Sequence, residues 1–186
     1  MIRKCVLTLL LGAVLVAPRL PAALAQTPAA PVPAPVPEVM PFDIPYGAPL
    51  SLEDADKAIA AAMTEAKKHN WKMSITVVDP AGNLIAHATM DGTQYASIPI
   101  SQAKARTAAL FRRPSKVFAD VINGASGAPS PATLSILPLG GAVASEGGFP
   151  IVKDGKLVGA IGASGGIATQ DGVTAKAGLT ALTGAN

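Results

Sequence analysis

Gly162-Ala163-Ser164-Gly165-Gly166 fits the G-x-S-x-G pattern of a serine nucleophile on a strand-to-helix turn. That chemistry needs a histidine base, and in the hydrolase order both acid and histidine follow the serine. His69 and His87, the two histidines of the chain, both precede Ser164 and form no recognisable triad with it. The spacing Gly159-x-x-Gly162-x-x-Gly165 misses the G-x-G-x-x-G of a dinucleotide site, and the Gly-Lys-Ser/Thr of a Walker loop is absent. Two readings of the loop stay open. Its amides could converge on an anion at a helix start, or its glycines could permit a tight turn and close packing. Imidazole is the commonest metal ligand, so His87 is a candidate ligand for a metal ion or haem iron, against a structural hydrogen-bonding role on its strand. Met90 offers a soft axial thioether or core packing. Glu146, beside Gly147-Gly148, could orient a ligand or act as a general base, or simply be solvated.

Charge narrows the partners. The chain carries 15 Lys+Arg and 12 Asp+Glu. Residues 1–25 read as a secretory signal: Arg3 and Lys4, an apolar run from Cys5 to Ala17 ended by Pro18, and Ala23-Leu24-Ala25 before Gln26. The run is shorter than the roughly 18–20 residues of a membrane span. A periplasmic or secreted protein is expected, with no stable membrane span once the signal is removed. Without Arg3, Lys4 and Arg19, 12 basic residues face 12 acidic ones. That balance gives no basic stripe for nucleic acid; Arg112, Arg113 and Lys116 read as a solvated helix end. The one cysteine, Cys5, leaves with the signal, so disulfides, thiol catalysis and Cys-ligated haem are excluded from the mature chain.

These side chains need elements to position them. Residues 26–45 are a proline-rich linker, extended rather than helical, and the stretch from Phe42 to Pro49 is expected to dock through Phe42, Ile44 and Tyr46. Residues 46–186 form one domain. Ser51 caps a helix whose buried stripe is Leu52, Ala55, Ile59, Ala62, Met63 and Ala66, with Asn70 at its end. Met73 to Val78 and Leu84 to Met90 alternate as strands around Asp79-Pro80-Ala81-Gly82-Asn83. Ile98 to Phe111 is a helix, "PSKVFADVING" begins a shorter one, and residues 124–142 form a long connection. "GFPIV" and "KLVGAIGAS" flank an Asp154-Gly155 turn, and Thr169 to Leu182 closes the chain as a helix. Hairpin-linked strands with helices in blocks predict an α/β domain of the α+β type, an antiparallel sheet covered by helices.

In that order, "ITVVDPAGNLIAHATMDG", "AKARTA", "EGGFPIVKDGKLVGAIGASGG" and "QDGVTAKAGL" resemble the haem-binding, haem-degrading protein family that includes GlcG-like and HbpS-like proteins. The resemblance implies a compact single domain with an antiparallel sheet of about five strands, a homo-oligomer, and haem as ligand and possible cofactor. It also implies haem handling or degradation with iron or redox protection in some members, and service in small-molecule catabolic operons in others. Lys104, Ala105, Thr107 and Ala108 match one family stretch, making Thr107 the counterpart of a threonine proposed near haem iron. Glu146, Gly147, Gly148 and Pro150 match another. Thr89 stands where relatives often carry arginine, and Gly172 where an acidic residue is common. Haem would lie in an apolar pocket or between subunits, with His87 or Thr107 near the iron and Lys104 or Arg106 near the propionates. The rival reading is a small organic acid held near Glu146, Ser164 and the glycine loop. A third is an extracytoplasmic accessory or sensor partner tethered by its proline-rich tail. No catalytic residue is assigned.

Overall fold

Ser51 starts the first helix by accepting the Asp54 N–H on its Oγ at 3.1 Å, which satisfies one of the orphan donors of the first turn. In the computed structural model, which describes residues 36, 38–124, 134 and 140–184, this helix is α1 (Leu52–Lys68). Glu53 and Asp54 lie in its first turn and Lys67 and Lys68 in its last, each at the end where the helix dipole favours its charge. Ala55, Ile59, Ala62 and Ala66 are buried as expected; Leu52, in phase with them, is 60 % exposed at the helix's first position. Asn70 then takes φ +56°, the left-handed step that turns the chain into the sheet.

The chain continues through β1 (Ser74–Val78), β2 (Leu84–Thr89), α2 (Ser97–Leu110), α3 (Lys116–Asn123), β3 (Gly148–Lys153), β4 (Lys156–Ser164) and α4 (Ala168–Thr183). All strand pairs are antiparallel, in the order β2-β1-β4-β3. Asp79 closes the first hairpin by accepting the Asn83 backbone N–H at 2.8 Å. Asp154 and Gly155 close the second with φ of +50° and +71°, as a two-residue hairpin turn requires. Four strands occur among the described residues, where about five were expected. Tyr46 makes a single parallel bridge to Leu157; Pro45 and Pro49 flank it and lack the N–H groups that a longer ladder needs.

Alternation along the strands gives the sheet two unlike faces. Ile75, Val77, Ile161 and Ala163 join Ala55, Ile59 and Ala62 of α1 and Ala175 of α4 in the main core. The opposite face carries Ser74, Thr76 and Val78 and is covered by α2, where Val78 and Ala160 pack against Ala105, Ala108 and Ala109. The α2 backbone comes down onto the glycines of this face. A Cβ on Gly162 would collide with the Ser101 carbonyl oxygen and stand 2.6 Å from the Ala105 nitrogen.

The compact unit that contains all these elements runs Val39–Asn186, and Val36 and Glu38 are the described residues of the preceding unit, Met1–Glu38. The segment read as a secretory signal, most of the expected linker and most of the 124–142 connection lie outside the described residues. Phe42 to Tyr46 does dock. The Arg113 guanidinium sits 3.9 Å from the Phe42 ring centre, and Arg112 Nη1 donates to the Ile44 carbonyl at 3.1 Å. The two arginines expected as a solvated helix end therefore fasten this segment. No helix among the described residues is long and apolar enough to cross a membrane.

Candidate functional site

The β1–β2 register sets Ser74 opposite Thr89 and Thr76 opposite His87. Four polar side chains thus share the α2-facing side of the sheet at its β2 edge, and Ser101 of α2 meets them from above. Thr76 Oγ1 lies 2.8 Å from His87 Nδ1 and 2.8 Å from Ser101 Oγ. His87 Nε2 lies 2.9 Å from Thr89 Oγ1. Ser101 Oγ donates to the Ile98 carbonyl at 2.9 Å. Thr76 and Ser101 are buried, His87 is partly buried, and Thr89 is exposed. Burial holds the His87 pKa below the ordinary histidine value, which favours the neutral imidazole. Nδ1 is thereby fastened to the buried Thr76 hydroxyl, and Nε2 meets the exposed Thr89 hydroxyl and, at 3.4 Å, Ser74 Oγ.

Clefts flank this histidine along β2. One, of about 240 Å³, is lined by Val78, Gly82, Asn83, Leu84, Gln102 and Arg106. Arg106 lies five helical residues beyond Ser101, a rise of about 7–8 Å, and its Nη1 donates to the Gly82 carbonyl at 2.7 Å. The other, of about 320 Å³, is lined by Met63, Lys67, Lys72, Thr89, Met90 and Asp91. A larger apolar shelf, about 350 Å³ and lined by Tyr46, Pro80, Ala81 and Leu110, carries no charged group.

The remaining expected residues gather elsewhere. Lys104 Nζ donates to Asp171 Oδ2 at 2.6 Å, with both side chains almost wholly buried. Asp171 Oδ1 accepts the Gly166 N–H at 3.0 Å, and Gln170 Oε1 accepts that of Ile167 at 3.1 Å. The glycine loop does present amides toward an anion, and that anion is the chain's own Asp171. Burial raises the Asp171 carboxyl above the usual range, against the pull of Lys104 and of the Gly166 and Gly165 amides. Ser164 is buried on β4 opposite Ser74. Glu146 lies over Gly172, where a Cβ would stand 2.8 Å from its carboxyl carbon. The glycine that departs from the family pattern thus makes room for the Glu146 carboxylate.

Thr107 is fully buried. Its Oγ1 bonds the carbonyls of Ala103 and Gly141 at 2.8 and 3.1 Å and accepts the Val143 N–H at 2.9 Å. Both Lys104 and Thr107 are therefore engaged inside the fold, the first by a carboxylate and the second by the loop before β3. Of the expected iron and propionate partners, His87 and Arg106 lie at open parts of the fold, His87 beside exposed Thr89 and Arg106, itself exposed, in the cleft at the other end of β2. The partners that sequence reasoning missed are Thr76, Ser74, Ser101 and Asp171. Ser-x-Thr opposite His-x-Thr was the available signal for the first two, because residues two apart on a strand share a face.

The chain resembles known proteins throughout this architecture. The sequence profile of the family described as "Haem degrading protein HbpS-like" matches residues 50–180. Protein GlcG of Escherichia coli strain K12 is 42 % identical over 115 residues, which are 62 % of this chain and 81 % of GlcG. A crystal structure of a Streptomyces reticuli HbpS double mutant superposes with a TM-score of 0.65 at 30 % identity, covering 83 % of this chain and 97 % of that one. The crystal structure of a PduOC–haem complex superposes with a TM-score of 0.62 at 28 % identity, covering 72 % and 94 %. With its four-stranded antiparallel sheet, its helical layers and this match across most of its length, the chain belongs to the HbpS-like haem-degrading protein family.

Proposed function

We propose that this protein is an exported haem-binding protein with His87 as its iron ligand. The observation that carries the reading is the divided His87 imidazole, with Nδ1 fastened to buried Thr76 at 2.8 Å and Nε2 met by exposed Thr89 at 2.9 Å and, more loosely, by Ser74 Oγ at 3.4 Å. Metal-bound histidines are commonly oriented by a second-shell partner on the other nitrogen. The donor set fits an iron porphyrin better than a bare ion. No group of three or more His, Cys, Asp or Glu side chains able to hold a metal occurs among the described residues. A porphyrin brings four nitrogens of its own and needs one axial imidazole. Bound haem would supply a redox-active iron. The chain's own work is to hold the imidazole neutral, fix its tautomer through Thr76 and offer apolar contacts through Leu84 and Met90. The relative that supports this ligand is PduOC, whose structure is a complex with haem.

The small-acid reading has less support, because the loop amides it needs already bond Asp171 and Gln170. Export rests on the pattern of residues 1–25, and self-association on the family resemblance and on exposed Tyr95, Leu84 and Ile100. Intact mass of the secreted chain should begin at Gln26, and light scattering should give a multiple of its mass.

Titration of the purified protein with haemin tests the central reading. A saturable Soret shift is expected. His87→Ala should move the Soret maximum and weaken binding, whereas Thr107→Ser should leave the spectrum in place. An unchanged spectrum and affinity in His87→Ala rejects His87 as ligand.

A further inference from the structure

Four lysines are paired with carboxylates: Lys68 with Glu65, Lys104 with Asp171, Lys116 with Asp120 and Lys153 with Asp54. Lys57, Lys67, Lys72, Lys156 and Lys176 have no ion pair among the described residues, and of these Lys67 and Lys72 share a cleft. Both line the cleft of about 320 Å³ at the end of β2, and neither ammonium has an ion-pair partner among the described residues. Lys67 lies in the last turn of α1, where it offsets the helix dipole. Lys72, just before β1, has no helix end to answer. Asp91 also lines the cleft, and no ion pair joins it to either lysine.

The rest of the lining is apolar and adaptable. Met63 and Met90 are partly buried against the main core, and thioether side chains adjust to the flat surface of a ring. Thr89 connects the cleft to the histidine. It lines the cleft, and its Oγ1 is the group 2.9 Å from His87 Nε2. Turning the exposed Thr89 hydroxyl aside would join the cleft to the ligating nitrogen and leave Nε2 only the longer 3.4 Å contact to Ser74 Oγ.

We propose that this cleft is a carboxylate subsite in which Lys67 and Lys72 hold the acidic edge of the ring whose iron His87 ligates, an inference that rests on the haem reading above. Carboxylates form their strongest hydrogen bonds with cations. Lys104 is buried against Asp171, and the exposed Arg106 guanidinium, which donates to the Gly82 carbonyl, lies in the separate cleft at the opposite end of β2.

The test titrates the full chain with haemin and with haemin dimethyl ester, whose carboxylates are blocked. Lys67→Gln/Lys72→Gln should weaken haemin binding about ten-fold or more and leave the Soret maximum unmoved, because the iron ligand is untouched. The ester should bind wild type more weakly than haemin does and should not respond to the double substitution. Both side chains are exposed, so the melting temperature should hold. Arg106→Gln should bind haemin as wild type does. Normal haemin affinity in the double variant, or a loss confined to Arg106→Gln, overturns the subsite while leaving the haem reading intact. Absence of any saturable Soret shift in wild type overturns both.

Discussion

Lys104 Nζ and Asp171 Oδ2 lie 2.6 Å apart, with 2 % and 4 % of their side chains exposed. The contact ties α2 to the first turn of α4 across 67 residues of sequence. Burying a single unpaired charge costs far more than burying the pair, because the survivor loses its water without gaining a partner. Lys104→Met and Asp171→Leu should each destabilise the fold by about 3–5 kcal/mol. The double variant should recover a large part of that loss. Urea unfolding of all four proteins measures the coupling, and additive losses would mean that the two residues act independently.

Acid should weaken the fold through His87. Its pKa is depressed in the folded state by burial, so the unfolded chain takes up a proton first as pH falls. The stability contribution of the neutral ring is complete above the unfolded value of about 6.5. It is lost as pH drops through the lower folded value. Melting temperatures should therefore decline on the acid side of that value in wild type, and His87→Gln should flatten this part of the profile. An identical acid limb in the variant would assign the effect to other groups.

The hydroxyls on the two sides of His87 should differ in their effect on haemin binding. Thr76→Val removes the buried partner of Nδ1, and loss of such an orienting group costs about 10–100-fold in metal affinity. Thr89→Val removes the exposed hydroxyl at Nε2 and should leave affinity unchanged or raised. Soret titrations of both variants decide between this ordering and its reverse.

Close approach of α2 to the sheet makes Gly162 intolerant of a side chain. Gly162→Ala would drive a Cβ into the Ser101 carbonyl and the Ala105 nitrogen. The expected cost is about 1–3 kcal/mol or more, since backbone cannot rotate out of the way. Gly140→Ala, with nothing within 4 Å of the added carbon, is the neutral control. Equal melting temperatures for the two variants would contradict the packing described.

The sequence by itself determined the local structure. Ser51 and Asp54 mark the start of α1, Asp154-Gly155 marks a hairpin, and the period-2 and helical patterns gave the element order to within a few residues, because caps, turns and amphipathic faces are set by near neighbours. It also identified the family, through an ordered set of stretches. The tertiary structure decided what each polar side chain does. Asp171 reaches the glycine loop and Lys104 only when α4 folds back beside α2, so a loop legible as an anion nest proved to hold an internal carboxylate. Thr107 had the chemistry of a ligand, yet its position on the buried face of α2 turned it into a clasp for residues 141–143. His87 was visible as an imidazole on a strand. Strand register and an edge position that α2 leaves partly uncovered were needed to set Nδ1 against buried Thr76 and Nε2 against exposed Thr89, with Ser74 at a longer 3.4 Å.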